Sequence, residues 1–514
     1  MKKLVGLLFH RVVLVGASIV IQVLILLVMV VAFSDYFIEF YFFCIALSVA
    51  VVLWIVGNRS NPAYKVAWLI PILAFPVFGG VLYLLFGGHH LSRRTKRRMQ
   101  GVEQSAREAL ERLPASHGVM ERLEDLDPDA ANQARYLQRA SDCPAHGNTK
   151  TEYFPLGERL FERLLEELRG ARHYIFLEVF ILEDGVMWKA VLDILEAKAA
   201  AGVDVRVIYD DIGCVFTLPR DYASVLEKKG IACSVFNPFV PVLSSRLNNR
   251  DHRKIFVIDG HTGFTGGINL ADEYINVKVK YGHWKDTGVM LKGEGVWNLT
   301  VLFLSMWDHI RGLEEDFSLY RPDFPDRPLD WSLGVVQPFT DSPLDDEPVG
   351  ENVYLNLINK AKRYVYISTP YLIIDNTMTT ALCTAAKSGV DVRILTPHIP
   401  DKRTIFEVTR AHYPLLLEAG VKIYEYTPGF VHAKSFAVDD EYGVVGSINM
   451  DYRSLFLHFE CGVWMYRCPC IRDIRDDFLE TLRISQRQEL DKVTRLSWLK
   501  KLYRAILRVF APLM

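Results

Sequence analysis

The chain has 514 residues and a formal net charge of −2, and 50% of its residues are hydrophobic. A chain of this length forms roughly two to four domains with sizeable apolar cores, and its near-neutral balance excludes the strong electrostatic attraction on which nucleic-acid binding depends. From this charge balance no nucleic-acid partner is expected. The eight cysteines include no pair with the spacing of a zinc site, so no metal is expected either.

The N-terminal region carries two long apolar runs. Residues 12–33 form a run of 22 residues without a charge, and a second, largely uncharged run covers residues 37–56. At about 1.5 Å of helix rise per residue, each run is long enough to cross about 30 Å of hydrocarbon. Lysine and arginine flank the pair of runs on both outer sides, and the loop between the runs carries only acidic charge. The positive-inside rule therefore predicts two transmembrane helices, with the N-terminus and the rest of the chain in the cytoplasm.

A third apolar run, residues 66–86, is interrupted by prolines and glycines and is followed by five basic residues between Arg93 and Arg98. A third crossing would place this basic cluster outside, against the positive-inside rule, so a re-entrant or interfacial segment is predicted. Hydropathy alone also allows a third span. The basic cluster suits the anionic headgroups of the cytoplasmic leaflet. Residues 1–98 are thus a predicted membrane domain, and residues 99–150 a helical, charged connector.

Strand and helix patterns alternate from residue 151 onward, and the same order occurs twice. The two copies cover residues 151–319 and 349–490, and a linker rich in proline and aspartate joins them over 320–348. Residues 202–206 and 389–393 even share the sequence Gly-Val-Asp-Val-Arg. This alternation predicts an α/β fold of two pseudo-symmetric halves with largely parallel sheets, forming one catalytic body.

Each half contains one copy of a polar motif, His-x-Lys-x4-Asp-x6-Gly-(Gly/Ser)-x-Asn. The copies comprise His252, Lys254, Asp259, Gly266, Gly267 and Asn269, and His432, Lys434, Asp439, Gly446, Ser447 and Asn449. Six fixed positions recur by chance on the order of once per 10^7 to 10^8 starting points. Two copies without a spacing error in one chain therefore indicate a shared function.

The motif has the groups that phosphodiester exchange requires. Side chains i and i+2 of a strand share a face, so each histidine is predicted to lie beside its lysine. One imidazole can attack phosphorus, and the other can act as general acid and base. The lysines and the amides of Asn269 and Asn449 can hold the non-bridging oxygens, where charge concentrates in the transition state. For Asp259 and Asp439, which belong to the predicted catalytic set, a turn-capping role competes with a catalytic one, and structural support is favoured.

The duplicated motif resembles the signature of the phospholipase D superfamily, and with the N-terminal apolar runs the whole chain resembles the bacterial cardiolipin synthases of that superfamily. The resemblance implies a phosphatidyltransferase of the bacterial cell membrane. It would join two phosphatidylglycerol molecules into cardiolipin and glycerol through a phosphatidyl-histidine, without a cofactor. It further implies that His252 is the nucleophile and His432 the acid and base. It also implies that downstream carboxylates, Asp286 and Glu460, orient the histidines; the alternative for each is a surface charge at a strand end.

The C-terminal segment, residues 491–514, has a basic amphipathic pattern. Its cations and its apolar residues occupy different faces, so the helix can lie in a membrane interface or pack on the catalytic body. Three other functions stay open from the sequence: a membrane-bound phospholipase D hydrolase, a transferase that uses phosphatidylethanolamine as donor, and a lipid-binding scaffold without activity. A nuclease of the same superfamily is disfavoured, because the catalytic region lacks a strong basic groove signal and the apolar segments would be unexplained. The sequence predicts no oligomeric state.

Overall fold

A computed structural model describes residues 37–58, 61–74, 93–111, 117–238, 248–324, 328–345 and 347–513, together with the single residues 20, 24, 27, 28, 31, 80 and 83. The chain divides into two compact units. The smaller comprises Met1–Leu91, Asn237–Asn249 and Val509–Met514, and the larger comprises Ser92–Phe236 and Arg250–Arg508.

The smaller unit contains helices α1 (Phe37–Gly57) and α2 (Pro62–Ala74). Val51 and Ile55 of α1 pack with Ile72 of α2. Many other apolar side chains of α1 are exposed, such as Phe42 and Leu53, each 67% accessible. Helix α1 coincides with the second predicted span. Apart from five single positions, the first span lies outside the described residues. Within the described part of the chain, no helix reaches the length and apolarity that crossing a membrane requires.

The larger unit begins with three helices, α3 (Arg93–Glu111), α4 (His117–Leu126) and α5 (Pro128–Ser141). They occupy most of the predicted connector. Asp127 caps α5, since its carboxylate accepts hydrogen bonds from the backbone N–H groups of Asp129 and Ala130. Leu110, Val119 and Ala130 are buried in the main hydrophobic core. The connector is therefore part of the globular body.

The first repeat of the larger unit follows. Its strands are β1 (Thr149–Phe154), β2 (Tyr174–Val179), β3 (Asp204–Asp210), β4 (Ala232–Phe236), β5 (Arg250–Asp251), β6 (Ile255–Ile258), β7 (Thr262–Gly266), β8 (His283–Lys285) and β9 (Gly288–Gly293). Its helices are α6 (Gly157–Gly170), α7 (Val186–Ala200), α8 (Tyr222–Glu227) and α9 (Val296–Arg311). Among these described strands, seven form one sheet in the order β1-β9-β7-β6-β2-β3-β4.

The second repeat has the same architecture. Its strands are β10 (Val335–Asp341), β11 (Tyr364–Ser368), β12 (Asp391–Pro397), β13 (Lys422–Tyr426), β14 (Gly429–Val431), β15 (Ser435–Val438), β16 (Tyr442–Gly446), β17 (His458–Tyr466) and β18 (Ser485–Arg487). Its helices are α10 (Val349–Lys360), α11 (Asn376–Lys387), α12 (Arg403–Glu418), α13 (Tyr452–Phe456) and α14 (Cys470–Arg483). Its sheet has the order β10-β17-β16-β15-β11-β12-β13-β18, which repeats the first sheet position by position before β18 is added.

Two features of the sheets differ from the predictions. In the two strand orders given above, β2, β3 and β4, and their counterparts β11, β12 and β13, pair in parallel. The remaining neighbours in these orders are antiparallel, because hairpins β6–β7 and β15–β16 extend each sheet. Strand β10 lies inside the segment predicted as linker and pairs with β17, as β1 pairs with β9. The two sheets meet at buried Thr265 and Cys461, whose Oγ1 and Sγ lie 3.4 Å apart.

The predicted C-terminal helix is divided into α15 (Leu490–Thr494) and α16 (Trp498–Phe510). Two of its cations point to the body, because Lys500 and Arg504 both pair with Glu407, at 3.1 and 2.8 Å. The apolar side is exposed: Trp498 is 71% accessible and Leu502 50%. The helix thus packs on the body through these charges, as one of the two predicted alternatives expects, and presents its apolar residues outward; the membrane-interface alternative stays a prediction.

Candidate active site

The two repeats exchange short strands at the point where the motifs begin. Strand β5 pairs in parallel with the start of β17, and β14 pairs in parallel with β8. As a result, the backbone N–H of His252 donates to the carbonyl of Phe459 at 2.9 Å, and the N–H of His432 donates to the carbonyl of Lys285 at 2.7 Å. Each histidine is therefore anchored to the other half of the body.

The first histidine is held by a carboxylate of the second half. Nδ1 of His252 lies 2.8 Å from Oε1 and 3.0 Å from Oε2 of Glu460. Glu460 is fully buried, and the Ser447 hydroxyl donates to its Oε2. An ionised carboxylate at this distance keeps the proton on Nδ1 and leaves the Nε2 lone pair for chemistry.

The second histidine is held in the reciprocal way. Nδ1 of His432 lies 2.6 Å from Oδ2 of Asp286, which is also fully buried. The other oxygen, Oδ1, accepts a hydrogen bond from the Thr287 backbone N–H at 2.8 Å. A side chain at Gly267 would collide with this carboxylate, whereas the equivalent Ser447 hydrogen-bonds to Glu460. This contact gives a physical reason for glycine in one copy of the motif and serine in the other.

The motif lysines are buried beside their histidines, although not in the predicted strand. Residues 252–254 and 432–434 form irregular segments between two strands, and the regular strands begin only at Ile255 and Ser435. The prediction that each pair shares a strand face is therefore wrong. Nζ of Lys254 donates to the carbonyl of His252, and Nζ of Lys434 donates to the carbonyl of His432. These bonds bring each ammonium group back toward its own histidine.

Burial dominates the electrostatics of the site. It lowers the pKa of Lys254 to about 8 and that of Lys434 to about 7. Burial, together with the nearby lysines, lowers the pKa of His432 to about 4 and that of His252 well below its usual value. Burial also raises the pKa of Glu460 to about 8, whereas the charge of Lys254 opposes this shift and favours the ionised carboxylate that holds the Nδ1 proton of His252. The site thus disfavours charge until an anion enters, and a bound phosphate would compensate the cost of protonating its bases.

The two motif asparagines differ in their surroundings. Oδ1 of Asn269 accepts hydrogen bonds from the backbone N–H groups of Phe180 and Ile181, at 3.1 and 2.9 Å, and its amide donates to the Tyr274 hydroxyl at 2.7 Å. It therefore fixes the segment that follows β2. Asn449 is 5% exposed, and its Oδ1 has no hydrogen-bond partner among the described residues. Of the two predicted substrate-binding amides, Asn449 retains the greater capacity to bind a ligand.

Lys254 and Lys434 directly precede strands β6 and β15, whereas Asp259 and Asp439 directly follow these strands. Both aspartates adopt the left-handed conformation, with φ of 50° and 55°. The Asp259 carboxylate accepts from the backbone N–H groups of residues 172, 173 and 174, at 2.8, 2.7 and 2.9 Å. Asp439 accepts from those of residues 362, 363 and 364, at 2.6, 2.8 and 2.8 Å. This geometry does not place them in the catalytic group; it matches the structural role that the sequence favoured, tying each hairpin to the turn before β2 or β11.

Two further side chains flank the histidines: His458, which with His283 was a sequence-based guess because it lies near a candidate carboxylate, and Trp284, which was not. The Trp284 ring lies 5.3 Å from the His432 ring, and the His458 ring lies 5.6 Å from the His252 ring. Trp284 lies two residues before Asp286, and His458 lies two residues before Glu460. Aligning the repeats on these carboxylates therefore places Trp284 opposite His458, and this alignment is the signal that could have identified Trp284. His283, by contrast, bonds through Nδ1 to the Tyr426 hydroxyl at 2.9 Å.

The arrangement also contains donors that a cation could use. Ligating atoms of His252, His458 and Glu460 lie within 4.8 Å of one another. The charges of Arg453, Lys254 and Arg250 act on His458, however, and each of them lowers its pKa. A surrounding of positive charge opposes a metal ion and favours an anion.

Comparisons with known proteins show the family and the fold. A family model described as the cardiolipin synthase, phospholipase D-like domain matches twice, over residues 164–284 and 354–482. A second model, phospholipase D-nuclease N-terminal, matches residues 46–88. The solved phosphatidylserine synthase of Haemophilus influenzae shares the fold: it superposes with a TM-score of 0.55 at 15% identity, over 74% of this chain and 97% of that one.

Relatives of known name are similar over nearly their whole length. A cardiolipin synthase of Halalkalibacterium halodurans is 34% identical over 89% of this chain and 90% of its own length, and one of Geobacillus kaustophilus is equally similar. An uncharacterized protein of Streptococcus mutans is 44% identical over 90% of this chain and 99% of its own length. Matches of this identity and coverage establish that the chain belongs to the cardiolipin synthase family of phospholipase D-like proteins.

Proposed function

We propose that this protein is a cardiolipin synthase that transfers the phosphatidyl group of one phosphatidylglycerol to a second, giving cardiolipin and glycerol. The observation that carries the proposal is the reciprocal pairing of His252 with Glu460 and of His432 with Asp286. Two imidazoles oriented through Nδ1 leave two Nε2 atoms for one phosphodiester, as a two-step transfer requires. The name of these relatives, cardiolipin synthase, supports cardiolipin as the product.

The reaction proceeds in two displacements. In the first, Nε2 of one histidine forms a bond to the donor phosphorus, the phosphorus–oxygen bond to glycerol breaks, and the second imidazole gives its proton to the departing oxygen. In the second, that imidazole takes the proton of the free hydroxyl of another phosphatidylglycerol, the hydroxyl oxygen bonds to phosphorus, and the phosphorus–nitrogen bond breaks. Following the family resemblance, we assign attack to His252 and proton transfer to His432.

The lysines and one asparagine stabilise the transition state. Lys254 and Lys434 lie buried beside the histidines, where a positive charge interacts strongly with the non-bridging oxygens. Asn449 can orient the glycerol headgroup through its unpartnered Oδ1, which accepts a hydrogen bond from a hydroxyl. Asn269 acts indirectly, by holding the backbone after β2.

The protein acts at a membrane, as its lipid substrate requires. We propose that the predicted apolar segments, 12–33 and 37–56, anchor the chain and leave the catalytic body in the cytoplasm, with 66–86 re-entrant. The exposed apolar residues of α1 and α16 support contact with lipid. Phosphatidylglycerol then has to present only its headgroup to the histidines, while its acyl chains stay in the leaflet.

Product analysis of purified protein with radiolabelled phosphatidylglycerol tests the function. The expected result is cardiolipin and glycerol in equal amounts, and loss of both with His252→Ala or His432→Ala. Phosphatidic acid as the main product would instead identify a hydrolase. Ethanolamine release on addition of phosphatidylethanolamine would identify a different donor. Unchanged activity in both histidine variants would rule out the proposed chemistry.

A further inference from the structure

The surroundings of the two histidines are related by the repeat but differ in charge. Aligning the motif glycines and asparagines places Glu273 of the first half opposite Arg453 of the second. Nε of Arg453 lies 3.3 Å from Nε2 of His458, and the His458 ring lies 5.6 Å from the His252 ring. The flank of His252 is therefore built from an imidazole and a guanidinium.

The equivalent flank of His432 has a different composition. There the indole of Trp284 takes the place of His458. Glu273 is buried at 3% exposure and its carboxylate pairs with Lys280 at 3.0 Å. A carboxylate paired with one lysine offers a second anion less positive charge than the guanidinium of Arg453 does, so the two flanks offer different environments to the two ends of a substrate.

Further positive charge surrounds the His458 side. After burial, the charges of Arg453, Lys254, Arg250 and Lys402 lower the pKa of His458 well below its usual value. Arg453 and His458 are partly exposed and Lys402 is exposed, so an incoming ligand can reach the group. The Nδ1 atom of His458 faces the Glu460 carboxylate, 3.8 Å from its Oε1, so the ligand-binding capacity of this flank lies in its cations. Cations with access from solvent are the properties of an anion subsite.

The reaction itself requires a place for a second phosphate. The acceptor phosphatidylglycerol carries its own phosphodiester, and five single bonds of about 1.5 Å separate that phosphorus from the attacking hydroxyl oxygen, which is roughly 6 Å when extended. The His458 ring lies 5.6 Å from the His252 ring, a separation of the same order. An acceptor anchored at its phosphate on this flank can therefore extend its hydroxyl toward the phosphorus held at the histidines.

We propose that Arg453, His458 and Lys402 form the subsite for the phosphodiester of the acceptor lipid, next to the catalytic histidines. The inference rests on the proposed function, since only a reaction between two phospholipids has an anionic acceptor. Arg453 supplies the main contact through its guanidinium, and Lys402 adds charge at the solvent side. The subsite makes transfer to phosphatidylglycerol favourable relative to transfer to water, because it raises the local concentration of the acceptor beside the covalent intermediate.

Competition between two acceptors tests the subsite. Purified protein is supplied with labelled phosphatidylglycerol in mixed micelles, with and without ethanol, an acceptor that has no phosphate. Cardiolipin and phosphatidylethanol are then quantified separately. Arg453→Gln should lower cardiolipin formation at least about tenfold, the value of a lost hydrogen bond to a charged group, while phosphatidylethanol formation stays within about twofold. Lys402→Gln should show the same selectivity with a smaller loss, about two- to fivefold, as expected for an exposed charge.

Controls separate the subsite from folding and from the overall function. Arg467→Gln, which removes an exposed arginine paired with Glu441, should change neither product. Arg453→Lys should restore part of the cardiolipin formed. Equal loss of both products in Arg453→Gln and Lys402→Gln, or loss of neither, would overturn the subsite. A wild-type protein that makes no cardiolipin at all, but does make phosphatidylethanol, would instead overturn the proposed function.

Discussion

Glu460→Gln is the substitution that tests the reciprocal pairing most sharply. The change keeps the size of the side chain and removes only its charge. In the structure, both carboxylate oxygens of Glu460 approach Nδ1 of His252, and the hydroxyl of Ser447 donates to one of them. An amide that presents its N–H₂ group to Nδ1 would shift the imidazole proton to Nε2, where it blocks attack on phosphorus.

The expected loss follows from the burial of this pair. Glu460 is 0% exposed, so water cannot replace the lost charge. A hydrogen bond to a charged group contributes about 1.5–3 kcal/mol, and removing the carboxylate charge of a catalytic triad lowers kcat about 10⁴-fold. We therefore expect kcat to fall between about 10² and 10⁴, or about 2.7–5.4 kcal/mol of transition-state stabilisation. The KM for phosphatidylglycerol should change little, because Glu460 acts through His252.

Two measurements check this reasoning. The first is initial rates of cardiolipin formation, with Glu480→Gln, a change at a 68% exposed side chain, as the matched control. The second is the modification of each imidazole by diethylpyrocarbonate, located and quantified by peptide mapping. Glu460→Gln should change the reactivity of His252 and leave that of His432 unaltered. A kcat within threefold of wild type, or a change confined to His432, would refute the pairing.

Three further predictions concern support, charge and membrane contact. Asp259→Ala removes three acceptor contacts and should cost about 3 kcal/mol of stability, measured by thermal unfolding in detergent, while the folded fraction keeps its kcat; normal stability with lost kcat would indicate a catalytic role. Since burial lowers the pKa of Lys434 to about 7 and of Lys254 to about 8, their charge is lost as pH rises through this range, so kcat/KM should fall there. Lys434→Arg should move this alkaline limb upward, and an unmoved limb would exclude the lysine as its cause. Leu502→Glu with Ile506→Glu should weaken binding to phosphatidylglycerol vesicles without changing turnover in micelles; unchanged vesicle binding would contradict membrane contact by α16.

Local patterns predicted much of the fold and of the site. The shared Gly-Val-Asp-Val-Arg sequence marks the starts of β3 and β12, and the alternation around it predicted both halves. The motif spacing singled out His252 and His432 because few arrangements of histidine and lysine recur so regularly. Residues 320–348 were interpreted as linker because proline and aspartate are typical of loops, yet β10 lies there as an edge strand, where proline is tolerated.

Long-range pairing was beyond what the sequence could show. Strands β5, β8 and β14 have only two or three residues, too few for an alternating pattern, so the exchange of strands between halves left no local signal. Each carboxylate follows the motif of its own half in sequence, whereas the fold directs it to the histidine of the other. The charge difference between Glu273 and Arg453 becomes visible only when the repeats are aligned beyond the motif.

The central claim is that His252 and His432 act on one phosphorus atom, one as nucleophile and one as acid and base. Rapid quenching of the enzyme during turnover with phosphatidylglycerol labelled in its phosphate, followed by peptide mapping, tests this directly. The account predicts an acid-labile phosphatidyl group on a single imidazole, His252 or His432, which disappears when that residue is replaced and accumulates when the other is. Turnover without any label on protein, or label on a residue outside this pair, would contradict it.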